Sequence, residues 1–258
     1  MATNRLGEEK LNNQGCLMRI VEYNSSHNII IEFQDEHRTK IKTTYYEFET
    51  GKITNPYFPY VLGVGIIGNK YKSIFNGKQT KEYVAWLNMM KRSFDISYKD
   101  KNPTYKNVTC CDEWLLYENF YEWLHNQENF DRWLNGDRWA LDKDILVKGN
   151  KIYSPKTCCL VPNNINQMFV KTDKKISDLP IGVSRFKDKF DAYCKNPLIR
   201  NGYNKYIGRF STPEEASLAY KLYKENLIKE VAKIEFNKGN ITKGCYDAMI
   251  NYEVEIID

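Results

Sequence analysis

The sequence has no apolar stretch of the roughly 18 residues that a membrane-spanning helix needs, so no span is predicted. Its first fifteen residues also lack the apolar core of a signal peptide. We therefore expect a soluble, cytosolic protein with no membrane partner. Histidine is scarce: His27, His37 and His125 are the only three, and we expect the first two to be solvated in turns.

The cysteines do not form the pattern of a disulfide framework. There are seven, an odd number, and they include the adjacent pairs Cys110-Cys111 and Cys158-Cys159. Reduced cytosolic thiols fit this pattern better than disulfides do. Structural zinc sites separate paired cysteines by about two to four residues, which argues against zinc here. We expect instead that one cysteine of each pair packs inward as a small apolar residue.

The composition sets broad limits on the architecture and the partner. A chain of 258 residues suits two or three small domains, and 42% hydrophobic residues are enough to fill their cores. The net charge of +5 is compatible with a nucleic-acid partner but does not by itself indicate one.

The first 78 residues predict a β-rich module. Three short strands are predicted over residues 16–21, 29–33 and 40–48. The glycines of residues 63–68 match the G-x-G-x-x-G pattern, but a dinucleotide site needs a helix directly after them. Asn76-Gly77 predicts a turn instead, so we interpret these glycines as allowing tight turns.

Residues 141–169 predict a short strand, a polar loop, a second short strand and the start of a helix. This order places Asp142 on the first strand and Asn164 or Asn166 on the helix. A hairpin packed on a helix can bring a carboxylate and an amide oxygen to one point, and magnesium is held by oxygen ligands of this kind. A metal held in this way can clamp a phosphodiester.

At these residues the sequence resembles the ββα-metal finger of HNH homing endonucleases carried by phages. Asp142 falls on the metal-ligand aspartate, residues 158–161 on the second strand, and Asn166 on the closing metal-ligand asparagine. Asn150 falls near the middle asparagine, which fixes the loop. The resemblance implies a cytosolic protein of a bacterium or a phage-infected host, with Mg²⁺ or Mn²⁺ as its cofactor.

The sequence departs from this family at the general base. Lys143 stands at the position of the base histidine, and lysine side chains are ordinarily protonated near neutral pH. Lys143 could instead steady phosphate charge, as a catalytic residue beside Asn150. Two other interpretations stay open: a finger kept only as a scaffold, and a solvated strand end around Asp142.

Aromatic helices surround this segment. Residues 80–94 predict one helix, and a second, capped by Asp112, carries Trp114, Tyr117, Tyr121 and Leu124 on one stripe. Such a stripe is more typical of a core than of a base-stacking surface. The order Trp86, Met89, Arg92, then Tyr105, Cys110, Trp114, Phe120 and Trp123 also resembles the phage HNH-type proteins.

The last third predicts a three-stranded antiparallel sheet packed on one helix, with Thr212 as N-cap, Pro213 at the first helical position and Glu215 completing a capping box. Its residues resemble the APETALA2-type DNA-binding domain, whose sheet enters the major groove. The resemblance carries DNA contacts to Ser184, Tyr193, Lys195, Asn204 and Tyr206. Phosphate contacts are predicted for Arg185, Lys187, Lys189 and Arg209.

We therefore predict an α+β protein of three modules: a β-rich module (residues 1–78), an HNH-like ββα finger with a helical surround (79–170) and an APETALA2-type module (171–258). The predicted function is binding of double-stranded DNA, with metal-dependent cleavage as one outcome. The alternatives are an inactive DNA-binding regulator and a protein-binding module that blocks a host factor. The sequence does not indicate an oligomeric state.

Overall fold

The structure, a computed structural model, describes residues 5–136, 138–169, 178–199 and 204–255. The chain is α+β, as predicted, and it divides into two compact units. The first comprises Met1–Trp86 and Asp112–Tyr121, and the second Leu87–Cys111 and Glu122–Asp258. Among the described residues, no helix is both long enough and apolar enough to cross a lipid bilayer.

The first unit contains a four-stranded antiparallel sheet in the order β1-β2-β3-β4. The strands are β1 (Glu9–Leu11), β2 (Leu17–Ser25), β3 (Asn28–Phe33) and β4 (Lys40–Thr43). Alternate residues of β2 and β3 are buried, including Met18, Ile20, Ile29, Ile31 and Phe33. The sequence predicted only three strands, because β1 has just three residues, all exposed, and so carries no alternation.

The predicted third strand is wrong at its end. β4 stops at Thr43, and helix α1 (Tyr45–Thr50) follows it. Thr44 caps this helix in a capping box with Glu47, which satisfies two N–H groups at the helix start. This local signal outweighs the partial alternation of polar and apolar residues that suggested a longer strand.

The rest of the first unit has buried aromatic side chains at its centre. A hairpin of β5 (Ile74–Phe75) and β6 (Lys78–Gln79) precedes helix α2 (Lys81–Phe94), within which the division between the units falls. A 3₁₀ turn (Asp112–Leu115) precedes helix α4 (Tyr117–His125), so the helix predicted to start at Asp112 begins later. The indole nitrogen of Trp86 donates to the carbonyl of Trp114 at 2.7 Å, and Tyr117 is also fully buried.

The second unit contains the segment that resembles a metal finger. Its leading elements are α3 (Ile96–Lys101), a 3₁₀ turn (Pro103–Tyr105), β7 (Thr109–Cys110) and α5 (Phe130–Asn135). The segment itself consists of β8 (Trp139–Asp142), β9 (Ile152–Tyr153), β10 (Cys159–Pro162) and α6 (Asn163–Phe169). β8 and β10 are antiparallel, whereas β7 and β9 pair in parallel. The predicted order of strand, loop, strand and helix is present in β8, β10 and α6, but the predicted polar loop also contains the short strand β9.

The remaining elements of the second unit are β11 (Val183–Phe186), β12 (Lys189–Lys195), β13 (Asn204–Phe210), α7 (Pro213–Asn237) and α8 (Lys243–Ile250). β11, β12 and β13 form one antiparallel sheet, and Val183, Phe190 and Ala192 pack against Ala216 of α7. The capping box of Thr212 and Glu215 is present as predicted, with Pro213 at the first position.

One hydrophobic cluster joins the finger-like segment to the helices that follow the sheet. Cys159, Val161 and Ile165 share it with Val231 of α7 and Met249 of α8. The predicted boundary at residue 170 lies inside this unit, and residues 170–177 are outside the described ranges. The three-module division stays a prediction.

Both cysteines of the second pair are buried, which corrects the expectation that only one packs inward. Cys158 is 3% exposed and Cys159 is 2% exposed. The thiol of Cys159 lies 4.0 Å from the thiol of Cys245, in the shared cluster. β10 is therefore covered on both faces, and burial raises the pKa of the Cys158 thiol to about 12.

Gly182, the residue before β11, is the subject of a prediction about stability. It has φ +79°, and a Cβ there would lie 2.3 Å from the Tyr220 ring and 2.8 Å from the Tyr193 carbonyl oxygen. We expect Gly182→Ala to lower the free energy of unfolding by about 3 kcal/mol or more in urea denaturation, because strain and clash add.

Gly149 supplies the matched control, because it has φ +77° and a Cβ added there would meet nothing within 4 Å. Gly149→Ala should cost only about 1 kcal/mol, from backbone strain alone. Equal losses in the two variants would contradict the close contact at Gly182.

Candidate functional site

Asp142 lies at the end of β8, opposite Cys159 of β10, and only 7% of it is exposed. Its Oδ1 accepts two backbone hydrogen bonds, from the N–H of Asp144 at 2.8 Å and from the N–H of Ile145 at 2.7 Å. Among the described residues, Oδ2 has no hydrogen-bond donor. One oxygen therefore fixes the carboxylate, and the other remains available to a ligand.

Burial shifts the titration of this carboxylate. Desolvation is the largest cause and the charge of Asp144 the second, and together they raise the pKa of Asp142 to about 6. The two backbone donors and the neighbouring Lys143 act in the opposite direction but do not cancel the effect. A cation bound at Oδ2 would offset the cost of holding this charge in a poorly solvated place.

The raised pKa predicts that Asp142 destabilises the metal-free protein above pH 6. The carboxyl has an ordinary pKa of 3.8 and a pKa of about 6 in the folded protein, so the folded state loses stability as the pH rises from the first value through the second. A pKa difference of about 2 corresponds to about 3 kcal/mol as an upper limit. We expect Asp142→Asn, which keeps an acceptor oxygen, to raise the free energy of unfolding by up to that amount at pH 8 in chelator, and to have little effect below pH 4.

Asp100 on α3 is the control for this experiment, because it is exposed and lies on another element. Asp100→Asn should leave the free energy of unfolding unchanged at both pH values. If Asp142→Asn destabilises the protein at pH 8 in urea denaturation, the carboxylate is a net stabilising group and the account of its burial is wrong.

Lys143 follows directly and is also largely buried, with 10% of its side chain exposed. Its Nζ donates to Oδ2 of Asp144 at 3.0 Å and lies 5.9 Å from the centroid of the Tyr153 ring. The position that resembles the base histidine therefore presents a paired ammonium group. This group can offset negative charge on a phosphate.

Asn150 fixes the loop between β8 and β9. Its Nδ2 donates to the carbonyls of Lys143 at 2.6 Å and Ile152 at 2.7 Å, and its Oδ1 accepts from the N–H of Ile152 at 3.2 Å. One bond lies within the loop and two join it to Ile152 at the start of β9, so together they hold the backbone of Lys143 in place. These contacts suit the loop-fixing role expected of this asparagine; its part in catalysis stays a prediction.

Asn166, on α6, is half-buried and lines the same cleft as Asp142. The described ranges contain no group of three or more His, Cys, Asp or Glu side chains arranged around a metal position. A carboxylate and an amide oxygen completed by water and phosphate still fit the needs of Mg²⁺, which keeps several waters. The donor chemistry therefore fits a hard cation held by Asp142 and Asn166. Asn164, the other candidate, does not line this cleft.

The cleft around these residues has a volume of about 320 Å³. Two carboxylates line it, those of Asp142 and Asp144. Four cationic side chains also line it: Arg92, Lys143, Lys148 and Lys151. Arg92 was not predicted as a site residue, although it belongs to the leader pattern in the sequence. Its Nη1 donates to the hydroxyl of Tyr153 at 3.2 Å, and its guanidinium lies 5.5 Å from the Tyr105 ring centroid.

The sheet β11–β13 brings most of the predicted DNA contacts onto one face. Cross-strand partners place side chains on the same side of a sheet. The register pairs Ser184 with Asp191 and Asp191 with Arg209, and it pairs Tyr193 with Tyr206. The face away from α7 carries seven of the predicted residues: Ser184, Lys189, Tyr193, Lys195, Asn204, Tyr206 and Arg209. We call it the open face.

Arg185 is not on the open face. It pairs with Phe190, which is buried against α7, and its guanidinium lies 4.9 Å from the Phe190 ring centroid. Alternation along β11 therefore turns Arg185 toward the helix side of the sheet edge. The sequence pattern alone did not distinguish the two faces here.

Arg209 is held in place on the open face. Its Nε and Nη2 donate to the two carboxylate oxygens of Asp191 at 2.7 and 3.0 Å. This pair of bonds lowers the pKa of Asp191 and fixes the guanidinium 3.9 Å from the centroid of the Phe186 ring. Phe186 is 45% exposed beside this guanidinium, and the sequence analysis assigned it no role.

No family model, curated protein or solved structure matches the chain. The roles considered for the cleft and the open face therefore depend on the sequence resemblance and on the geometry described above.

Proposed function

We propose that this protein binds double-stranded DNA through the open face of the sheet β11–β13. The observation that carries the proposal is the register, which collects seven predicted contact residues on the face that α7 leaves uncovered. A small antiparallel sheet of this kind can enter the major groove and present side chains to base edges.

The charge on the open face supports a polyanionic partner. Lys189 and Lys195 are exposed there, and Arg209 neutralises Asp191, the acidic residue of β12 on that face. Tyr206 is 47% exposed and offers both a ring and a hydroxyl. Lysines would contact phosphates, and the polar side chains of Ser184 and Asn204 would face bases.

The proposal is tested by fluorescence anisotropy of a labelled 20-base-pair duplex over a series of salt concentrations. A DNA-binding protein should show an affinity that falls steeply as salt increases, because phosphate contacts release counterions. Absence of any affinity in dilute salt would overturn the proposal and favour a protein partner instead.

A second candidate function, metal-dependent cleavage of a phosphodiester, is favoured by Oδ2 of Asp142, which accepts no hydrogen bond from the described residues and lies in the cationic cleft. Asp142 and Asn166 would hold Mg²⁺ or Mn²⁺, which polarises the scissile phosphate when bound. Lys143 and Arg92 would offset the charge of the phosphate, and Asn150 would hold the loop. The proposal assigns no residue as the base that activates water. A nuclease of this kind would act in the cytosol of a bacterium or a phage-infected host.

Supercoiled plasmid with Mg²⁺ or Mn²⁺ tests the second candidate. Nicking by the parent protein that disappears in Asp142→Ala would support a metal-finger nuclease. No nicking by the parent, together with salt-sensitive retention of DNA, would remove this candidate for the natural sequence and leave a DNA-binding regulator.

A further inference from the structure

A second cavity, of about 380 Å³, lies in the same unit but apart from the cleft at Asp142. It is formed by α6, the end of β12 and the middle of α7. Its size is within the range of about 300–1,000 Å³ that is usual for small-molecule sites. None of the functions considered so far uses this cavity as a site, although Lys195, at the end of β12, both lines it and belongs to the open face.

The charged side chains that line this cavity, among the residues that the structure describes, all have one sign. Arg138, Lys195 and Lys224 line it, and no aspartate or glutamate among the described residues does. Gln167 and Asn164 add neutral polar groups, and Nζ of Lys195 lies 3.5 Å from Oε1 of Gln167. The first cleft differs in this respect, because two carboxylates accompany its cations.

Lys224 is the most informative of the three cations. It is half-buried on α7, its Nζ donates to the hydroxyl of Tyr220 at 3.1 Å, and burial lowers its pKa below the ordinary value. A lysine held in a poorly solvated place without a carboxylate beside it is stabilised by an anion that enters the cavity.

The rest of the wall is apolar. Met168 and Leu227 are both buried and line the cavity, and the ring of Tyr220 forms a further part of it. Such a wall favours a ligand with an apolar or aromatic body over a bare inorganic ion. The three cations suit a dianion better than a singly charged carboxylate, because a phosphate monoester carries close to two negative charges at neutral pH.

We propose that this cavity binds a small organic phosphate, a phosphomonoester with an aromatic body such as a nucleoside monophosphate. The phosphate lies among Arg138, Lys195 and Lys224, and the aromatic body lies against Met168, Tyr220 and Leu227. The phosphate comes either from a free mononucleotide or from the 5′-phosphorylated end of a DNA strand, since the chemistry is the same.

Titration calorimetry with thymidine monophosphate tests the site, with thymidine and inorganic phosphate as the partial ligands. The full ligand should bind at least about tenfold more tightly than either part, because charge and apolar contacts act together. Lys224→Met should weaken its binding by about tenfold or more, and Arg138→Gln should act in the same direction.

Lys229→Met is the matched control, because Lys229 is exposed on the same helix and does not line the cavity. It should leave the affinity unchanged, and a circular-dichroism melt should confirm that both lysine variants are folded. Equal affinity in the Lys224→Met and Lys229→Met proteins would overturn the proposal, as would inorganic phosphate binding as tightly as the nucleotide.

Competition separates the two sources. Displacement of thymidine monophosphate by a 5′-phosphorylated duplex, but not by the same duplex without the phosphate, would assign the site to DNA ends. No displacement by either duplex would assign it to a free nucleotide. Because the titration contains no DNA, its result does not depend on the proposed open-face function.

Discussion

Histidine in place of Lys143 is expected to raise magnesium-dependent nicking of supercoiled plasmid by about a hundredfold or more over the parent protein. An imidazole has a pKa near the operating pH and can accept a proton from water, which a protonated ammonium cannot do. The surrounding parts are in place: Asp142 has an oxygen available, and Asn150 bonds the carbonyl of residue 143 at 2.6 Å. The measurement is the initial rate of conversion to the nicked form.

Two further variants make this result specific. Lys143→Met removes the ammonium without adding a base, so it should not raise the rate. Combining Lys143→His with Asp142→Ala should abolish any gain, because the carboxylate that we propose as a metal ligand is lost. If Lys143→His is folded, binds DNA and still nicks no faster than the parent, the cleft is not a metal-finger site that lacks only its base.

The double variant Lys189→Gln with Lys195→Gln is expected to weaken DNA binding by about tenfold or more in dilute salt. Both lysines are exposed on β12, on the open face of the sheet. Two fewer phosphate contacts should also reduce the slope of log affinity against log salt by roughly 2. Anisotropy of a labelled duplex across a salt series measures both quantities.

Lys229→Gln with Lys233→Gln provides the same change of charge elsewhere. Both of these lysines are exposed on α7, which covers the opposite side of the sheet. This control should keep the parent slope and lose little affinity. Equal losses in the two double variants would show that net charge, and not the open face, determines binding.

A strong local signal in the sequence predicted where α7 begins. Thr212, Pro213 and Glu215 define the start of α7 because a capping box and a proline act within one turn. The same box at Thr44 and Glu47 was overlooked, because the alternating residues before it suggested a longer strand. Burial of both Cys158 and Cys159 depends on layers above and below β10, which one strand's pattern does not reveal.

In the candidate site, too, contacts between residues close in sequence were easier to predict than contacts between distant residues. The contacts of Asn150 lie within its own loop and at the first residue of β9, and the sequence resemblance suggested its loop-fixing role. Arg92 reaches the cleft from a distant helix, so spacing along the chain gives no direct signal for its role. Phosphate contacts were predicted for both Arg185 and Lys189, but the register places the two side chains on different faces of the sheet, which the strand sequences alone do not reveal.

Hydrogen–deuterium exchange with and without a 20-base-pair duplex tests most directly whether the open face binds DNA. Slower exchange in the presence of DNA is expected within the strands β11, β12 and β13. No slowing is expected within β2 and β3, Leu17–Ser25 and Asn28–Phe33. Tight DNA binding that leaves exchange in β11, β12 and β13 unchanged would contradict DNA binding by the open face.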